Sequence, residues 1–93
     1  MPLVVGIAAS LAALRGLTYS KEGVEGPIRV SSSNVDEIAY DFGNKLLYVT
    51  FVGKREYVFF DVPENIWDSF KQAPSKGVYV HTFLNDKYKF DRI

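Results

Sequence analysis

The 93-residue sequence contains no cysteine, which excludes disulfide staples, thiolate zinc sites and cysteine nucleophiles together. It has one histidine, His81, with no second histidine or spaced carboxylate nearby to complete an acid–base pair or a metal set. Neither sign of charge is in excess, since 11 Lys+Arg balance 11 Asp+Glu. Strong nonspecific nucleic-acid binders carry a basic excess, so this balance leaves room only for a local basic patch. No apolar run reaches the ~20 residues that a membrane-spanning helix needs. Pro2 to Leu14 is uncharged and mostly apolar, yet no basic residue precedes it and Arg15 follows it, unlike a signal peptide. That segment is expected to pack on the domain or on a partner, with no membrane attachment and a cytoplasmic location by default. A phosphate-binding glycine loop and a nucleophile elbow are also missing, and Asp36, Glu37 and Asp41 have no spacing suited to paired acid–base work. No catalytic residue, metal site or cofactor is expected, and the chain is not read as an enzyme.

What is present is core material. The composition is 47% hydrophobic, with 7 Phe, 6 Tyr and 1 Trp, and the length suits one domain. A chain of this size buries roughly 60–65% of its unfolded surface, enough for a modestly stable core without staples. Leu3 to Tyr19 is small and apolar, with helix formers from Ile7 to Arg15 and a stop at Gly16. Ser20 to Ser33 turns polar and Gly-rich and is expected to be a linker, with a short extended piece at Ile28 to Val30. Residues 1–30 are thus separated from a compact domain over 31–93.

Within that domain, Val35 to Phe42 alternates, with Ile38, Tyr40 and Phe42 on one face of a half-buried strand. Gly43-Asn44 is expected to supply positive φ for a tight turn. Leu46 to Val52 forms a second strand with apolar residues on both faces, Gly53-Lys54 turns again, and Glu56 to Phe60 is the third. Short turns make these neighbours antiparallel, which predicts a three-stranded meander with the second strand central. Asp61-Val62-Pro63 opens a helix whose Ile66, Trp67, Phe70 and Ala73 share a face, and Pro74 ends it. Ser75 is placed as the N-cap of a second short helix reaching about Leu84. Asn85-Asp86 breaks it, and Lys87 to Arg92 alternates as a final extended segment. The fold class is therefore α+β. Because the strands are apolar on both sides, both sheet faces need cover. The Ile66/Trp67/Phe70 helix takes one, and the N-terminal segment, a second copy of the chain or a ligand takes the other.

Several short segments in order resemble KTSC domains: Ser32-Ser33-Asn34, Ile38-Ala39-Tyr40-Asp41 and Leu47-Tyr48-Val49-Thr50-Phe51, followed by Tyr57-Val58-Phe59, Asp61-Val62-Pro63, Ser75-Lys76-Gly77 and Tyr79. That family is named for the C-terminus of some lysyl-tRNA synthetases and also occurs as small stand-alone bacterial proteins. It has no established activity, and the resemblance implies RNA binding from the synthetase context. The sequence departs from the pattern at Phe59, where the family has a second tyrosine, and in residues 1–30, which lie outside it.

Three sets of residues are candidates for binding. Tyr57 and Phe59, two apart on one strand face, can stack unpaired bases, although strand aromatics are more often core. Ser75, Lys76 and Gly77, with Tyr79 behind them, open a helix whose free amides and lysine suit phosphate, although such caps are common without a ligand. Lys87, Lys89 and Arg92 interleave with Tyr88 and Phe90, as a backbone-tracking edge or as an edge strand kept soluble by lysines. His81 is expected to be a partly exposed helix residue. Two functions follow: a small RNA-binding module, or an interaction module that self-associates as a homodimer through its N-terminal segment and sheet face.

Overall fold

The computed structural model describes residues 23–93. The predicted N-terminal helix and its role in covering the sheet lie outside the described residues. Within them the fold is α+β, an antiparallel five-stranded sheet whose strands lie side by side in sequence order. The strands are β1 (Val24–Arg29), β2 (Val35–Asp41), β3 (Leu46–Phe51), β4 (Arg55–Phe59) and β5 (Phe90–Arg92). Between β4 and β5 run α1 (Glu64–Gln72) and α2 (Lys76–Tyr79), and α2 continues into a π-helical turn over Val80–Leu84.

The sequence predicts three strands where the sheet has five, and the two additions have different causes. β1 lies in the stretch expected to be a linker. Its Gly26-Pro27 pair, which reads as loop punctuation, sits in a bulge between the paired stretches Val24-Glu25 and Ile28-Arg29. A bulge on an edge strand is where Gly and Pro are tolerated inside a sheet. Gly26 is required there: its φ is +105°, and a Cβ would stand 2.8 Å from the Ile38 carbonyl oxygen. β5 is the expected extended tail, now paired with β4 through Tyr57–Arg92, Val58–Asp91 and Phe59–Phe90.

The turns follow local chemistry. Gly53 and Lys54 make the expected turn between β3 and β4, both at positive φ. Between β2 and β3 the positive φ falls on Lys45 and not on Gly43-Asn44. There the Asp41 carboxylate accepts hydrogen bonds from the Asn44 backbone and side-chain amides and closes the turn from its start.

α1 packs Trp67 and Phe70 onto the sheet, both fully buried, and each contributes roughly 1.5–3 kcal/mol by burial alone. The Trp67 indole stacks on Tyr40 with centroids 5.5 Å apart, and the Tyr40 hydroxyl donates to the Val62 carbonyl. Glu25 reaches across from β1 and accepts from Trp67 Nε1 at 2.8 Å and from Lys71 Nζ at 3.0 Å. This clamp holds the edge strand to the helix. On the opposite face Val24, Ala39, Leu46, Tyr48 and Val58 are buried as well, which matches the two-sided apolar pattern of β3. The helices bury Tyr40, Leu47 and Phe59. Phe51 and Tyr57, further along the same face, are only partly covered, and Arg55 is exposed.

Candidate functional site

That partly covered end of the sheet forms a cleft of about 340 Å³. Its wall is aromatic: Phe51, Tyr57, Phe59 and Phe90, supplied by three adjacent strands. Strand alternation explains the arrangement, because directly paired residues share a face, and Phe51–Arg55, Val49–Tyr57 and Phe59–Phe90 are such pairs. Tyr57 meets Phe51 at 5.4 Å and 84°, and Phe90 at 5.8 Å and 66°, so these rings pack edge to face. Tyr57 is held between these two rings and is only partly buried.

The rim is polar. The Arg55 guanidinium lies 5.5 Å from the Phe51 ring centroid and has no carboxylate partner among the described residues. Opposite it, the π-helical turn contributes His81 and Asn85, four residues apart and hence on one side. The Asn85 N–H donates to the Val80 carbonyl at 2.9 Å, closing the wider i→i+5 turn of a π-helix. Asn34 completes the rim. The Ser32 hydroxyl accepts from the Asn34 and Val35 N–H groups and fixes the backbone there. Gly77 leaves room for Asn34: a Cβ on residue 77 would come within 2.9 Å of the Asn34 amide nitrogen. Among the described residues no aspartate or glutamate lines the cleft.

The residues singled out from sequence part company here. Tyr57 lines the cleft half-buried, whereas Phe59 is 1% exposed and also belongs to the core beneath the helices. Ser75 caps α2 by accepting from the Val78 N–H at 3.3 Å. Lys76 folds back, and its ammonium donates to the Ala73 and Lys71 carbonyls at 2.7 and 3.0 Å. It thereby satisfies the C-terminal carbonyls of α1, with its charge directed at backbone oxygen. Tyr79 is buried against Phe70 and Phe83 and donates to the Ile66 carbonyl. Lys89 and Arg92 are exposed on and beside β5, and Arg92 is the cross-strand partner of Tyr57. Lys87 is exposed as well, its ammonium 5.6 Å from the Phe83 ring centroid.

Arg55, Asn34 and Asn85 were not anticipated. Arg55 was within reach of the sequence, since it extends the Tyr57/Phe59 alternation by one step. Asn34 and Asn85 were not, because only the fold brings residues 34, 55 and 85 together. Among the described residues no group of three or more His, Asp or Glu is placed to hold a metal ion, and no helix is long and apolar enough to cross a membrane.

A two-layer α+β domain with an open aromatic–cationic cleft at one sheet end defines the class. The KTSC domain profile matches residues 31–88, and the chain belongs to that family. A crystal structure of a KTSC domain protein from Yersinia pestis superimposes with a TM-score of 0.71 at 30% identity, covering 76% of this chain and 99% of that one. Lysine–tRNA ligases from Trichormus variabilis and Nostoc punctiforme are 29% and 26% identical over 66 residues. That region is 71% of this chain but only 12% of each ligase, so the chain spans a small part of those proteins. A protein from Tsukamurella paurometabola is 27% identical over 60 residues, which make up 90% of its length. The family match begins at residue 31, so β1 is an addition to the matched region.

Proposed function

We propose that this protein is a non-catalytic module that binds single-stranded RNA on the cleft and the adjoining β5 edge. One observation carries the reading: segments distant in sequence, Asn34, Phe51, Tyr57 and Gly77, meet at one aromatic cleft rimmed by an arginine, with no acid in its lining among the described residues. Sheet aromatics beside cations are the arrangement by which unpaired bases are stacked and their phosphates neutralised. Arg92 lies on the same sheet face as Tyr57 and Phe90, and the exposed Lys87 and Lys89 precede β5 in the chain. The likeness to a region of two lysine–tRNA ligases agrees with an RNA ligand.

The assembly reading needs an open sheet face. Tyr48 and Val58 on the face away from the helices are 2% and 0% exposed within a single chain, which favours RNA. The test is titration of the full chain with a single-stranded hexanucleotide RNA at two salt concentrations, read from backbone amide shifts. Four cations, Arg55, Lys87, Lys89 and Arg92, set an upper limit near −2.8 on the salt slope, roughly a 50-fold loss of affinity between 50 and 200 mM. Absence of shifts at low salt removes the RNA reading.

A further inference from the structure

We propose that the cleft is a single-nucleotide pocket, which receives one unstacked base of the strand against Tyr57 and Phe90 and that nucleotide's phosphate on Arg55. The inference rests on the RNA reading and specifies what part of the strand the cleft takes.

Size is the first argument. At about 340 Å³ the cleft stands at the low end of the ~300–1,000 Å³ typical of small-ligand sites. One nucleotide fills such a space, and a stack of bases does not. Ring geometry is the second. Tyr57 meets Phe51 at 84° and Phe90 at 66°, and Phe90 is tilted 48° from Phe59, so none of these pairs is parallel and a planar heterocycle finds ring surface not already spent on a parallel partner.

The polar rim is the third argument and separates a nucleotide from other anions. Among the described residues Arg55 is the one permanent charge lining the cleft, and none of them sets a carboxylate in its lining to oppose an entering phosphate. The Asn34 and Asn85 amides and the His81 imidazole make no side-chain hydrogen bond to another described residue. Together they offer donors and acceptors, which is what the edge of a nucleobase presents. An aliphatic acid would use the arginine and leave both the rings and the amides idle. Beyond the pocket, Arg92 on the same sheet face is placed for the phosphate of the neighbouring nucleotide.

The experiment is a set of parallel amide-shift titrations of the full chain. The ligands are AMP, GMP, CMP and UMP, ribose 5-phosphate as the base-free control, and the hexanucleotide. The nucleotides are expected to bind in the millimolar range and to shift Phe51, Tyr57, His81, Asn85 and Phe90. Ribose 5-phosphate should bind at least ~10-fold more weakly, because stacking supplies most of the affinity. Arg55→Glu, an exposed substitution whose folded state the amide spectrum verifies, should weaken the nucleotides at least ~10-fold through loss and reversal of the phosphate contact. Asn85→Ala gives a second, independent loss on the rim. Equal binding of ribose 5-phosphate and nucleotides overturns the base pocket and leaves an anion site. A hexanucleotide that binds without moving cleft amides, and with an affinity indifferent to Arg55→Glu, overturns the pocket while the RNA reading stands. Nucleotides that bind while the hexanucleotide does not overturn both the RNA reading and the pocket's place on a strand.

Discussion

The Glu25 clamp gives the sharpest test of how β1 belongs to this fold. Glu25 accepts from Trp67 Nε1 at 2.8 Å and from Lys71 Nζ at 3.0 and 3.2 Å. The two donors are not equivalent. Trp67 is fully buried, while the Lys71 side chain retains 29% exposure and can turn to water. Replacing Glu25 by alanine strands the indole N–H in the core, a loss of about 1–3 kcal/mol for an unsatisfied buried donor. The partly exposed ion pair adds only about 0.2–1 kcal/mol. Glu25→Ala should therefore cost about 1.2–4 kcal/mol, lowering the melting temperature by roughly 5–30 °C for a domain of this size. Lys71→Ala should cost under about 1 kcal/mol. Glu25→Gln keeps a carbonyl for the indole and should fall between the two. Urea unfolding of the full chain, followed by far-ultraviolet circular dichroism so that the readout survives loss of the one tryptophan, measures all three. The cycle is completed in a Trp67→Phe background, where Glu25→Ala should lose most of its effect because no donor is left unpaired. If Glu25→Ala costs no more than Lys71→Ala, or keeps its full effect beside Phe at position 67, the indole hydrogen bond is not what anchors the strand.

Two glycines should respond in opposite ways. Gly26→Ala combines positive φ with a Cβ 2.8 Å from the Ile38 carbonyl oxygen, and should cost about 1–3 kcal/mol in a denaturant titration. Gly77→Ala meets only the exposed Asn34 side chain, and helix propensity then makes it neutral or stabilising by up to about 1 kcal/mol. Burial pushes the Tyr40 and Tyr48 hydroxyls up to about 12, Tyr40 with lesser help from Glu64 and Asp41, and Tyr48 from Asp41. Their neutral forms are favoured on folding, so this stability is complete below the ordinary tyrosine range near pH 10 and is lost as pH rises toward 12. Denaturant midpoints tracked beside phenolate absorbance should show these two ionising near pH 12 in the folded chain; ionisation near pH 10 in the folded chain would contradict it. Lys76→Glu replaces an ammonium bound to two carbonyls, and should lower stability by about 1–2 kcal/mol while leaving RNA affinity within about twofold. A large loss of affinity with stability intact would return α2 to the interface.

Much of the framework is written in local pattern. Period-two alternation placed Ile38, Tyr40, Leu47, Val49 and Phe59 on one face, and helical spacing placed Trp67 and Phe70 against them. Pro63 and Pro74 bracketed α1, and Ser75 capped α2, because those residues act on backbone groups only a few positions away. The two-sided apolar character of β3 foretold two buried faces for the same reason. β1 escaped because Gly26-Pro27 carries the same local signal in a bulge as in a loop, and only the partner strand distinguishes them. The cleft escaped because its rim comes from residues 34, 55, 81 and 85, whose proximity depends on how the hairpin, β5 and the π-helical turn pack. The direction of the Lys76 ammonium was decided in the same way, by carbonyls that the end of α1 exposes beside it. Sequence alone determined the apolar framework of β2 to β4 and α1, and the lack of cysteine chemistry, since both follow from composition and period. Tertiary structure alone decided which exposed side chains face one another, because that depends on contacts between segments that no local pattern records.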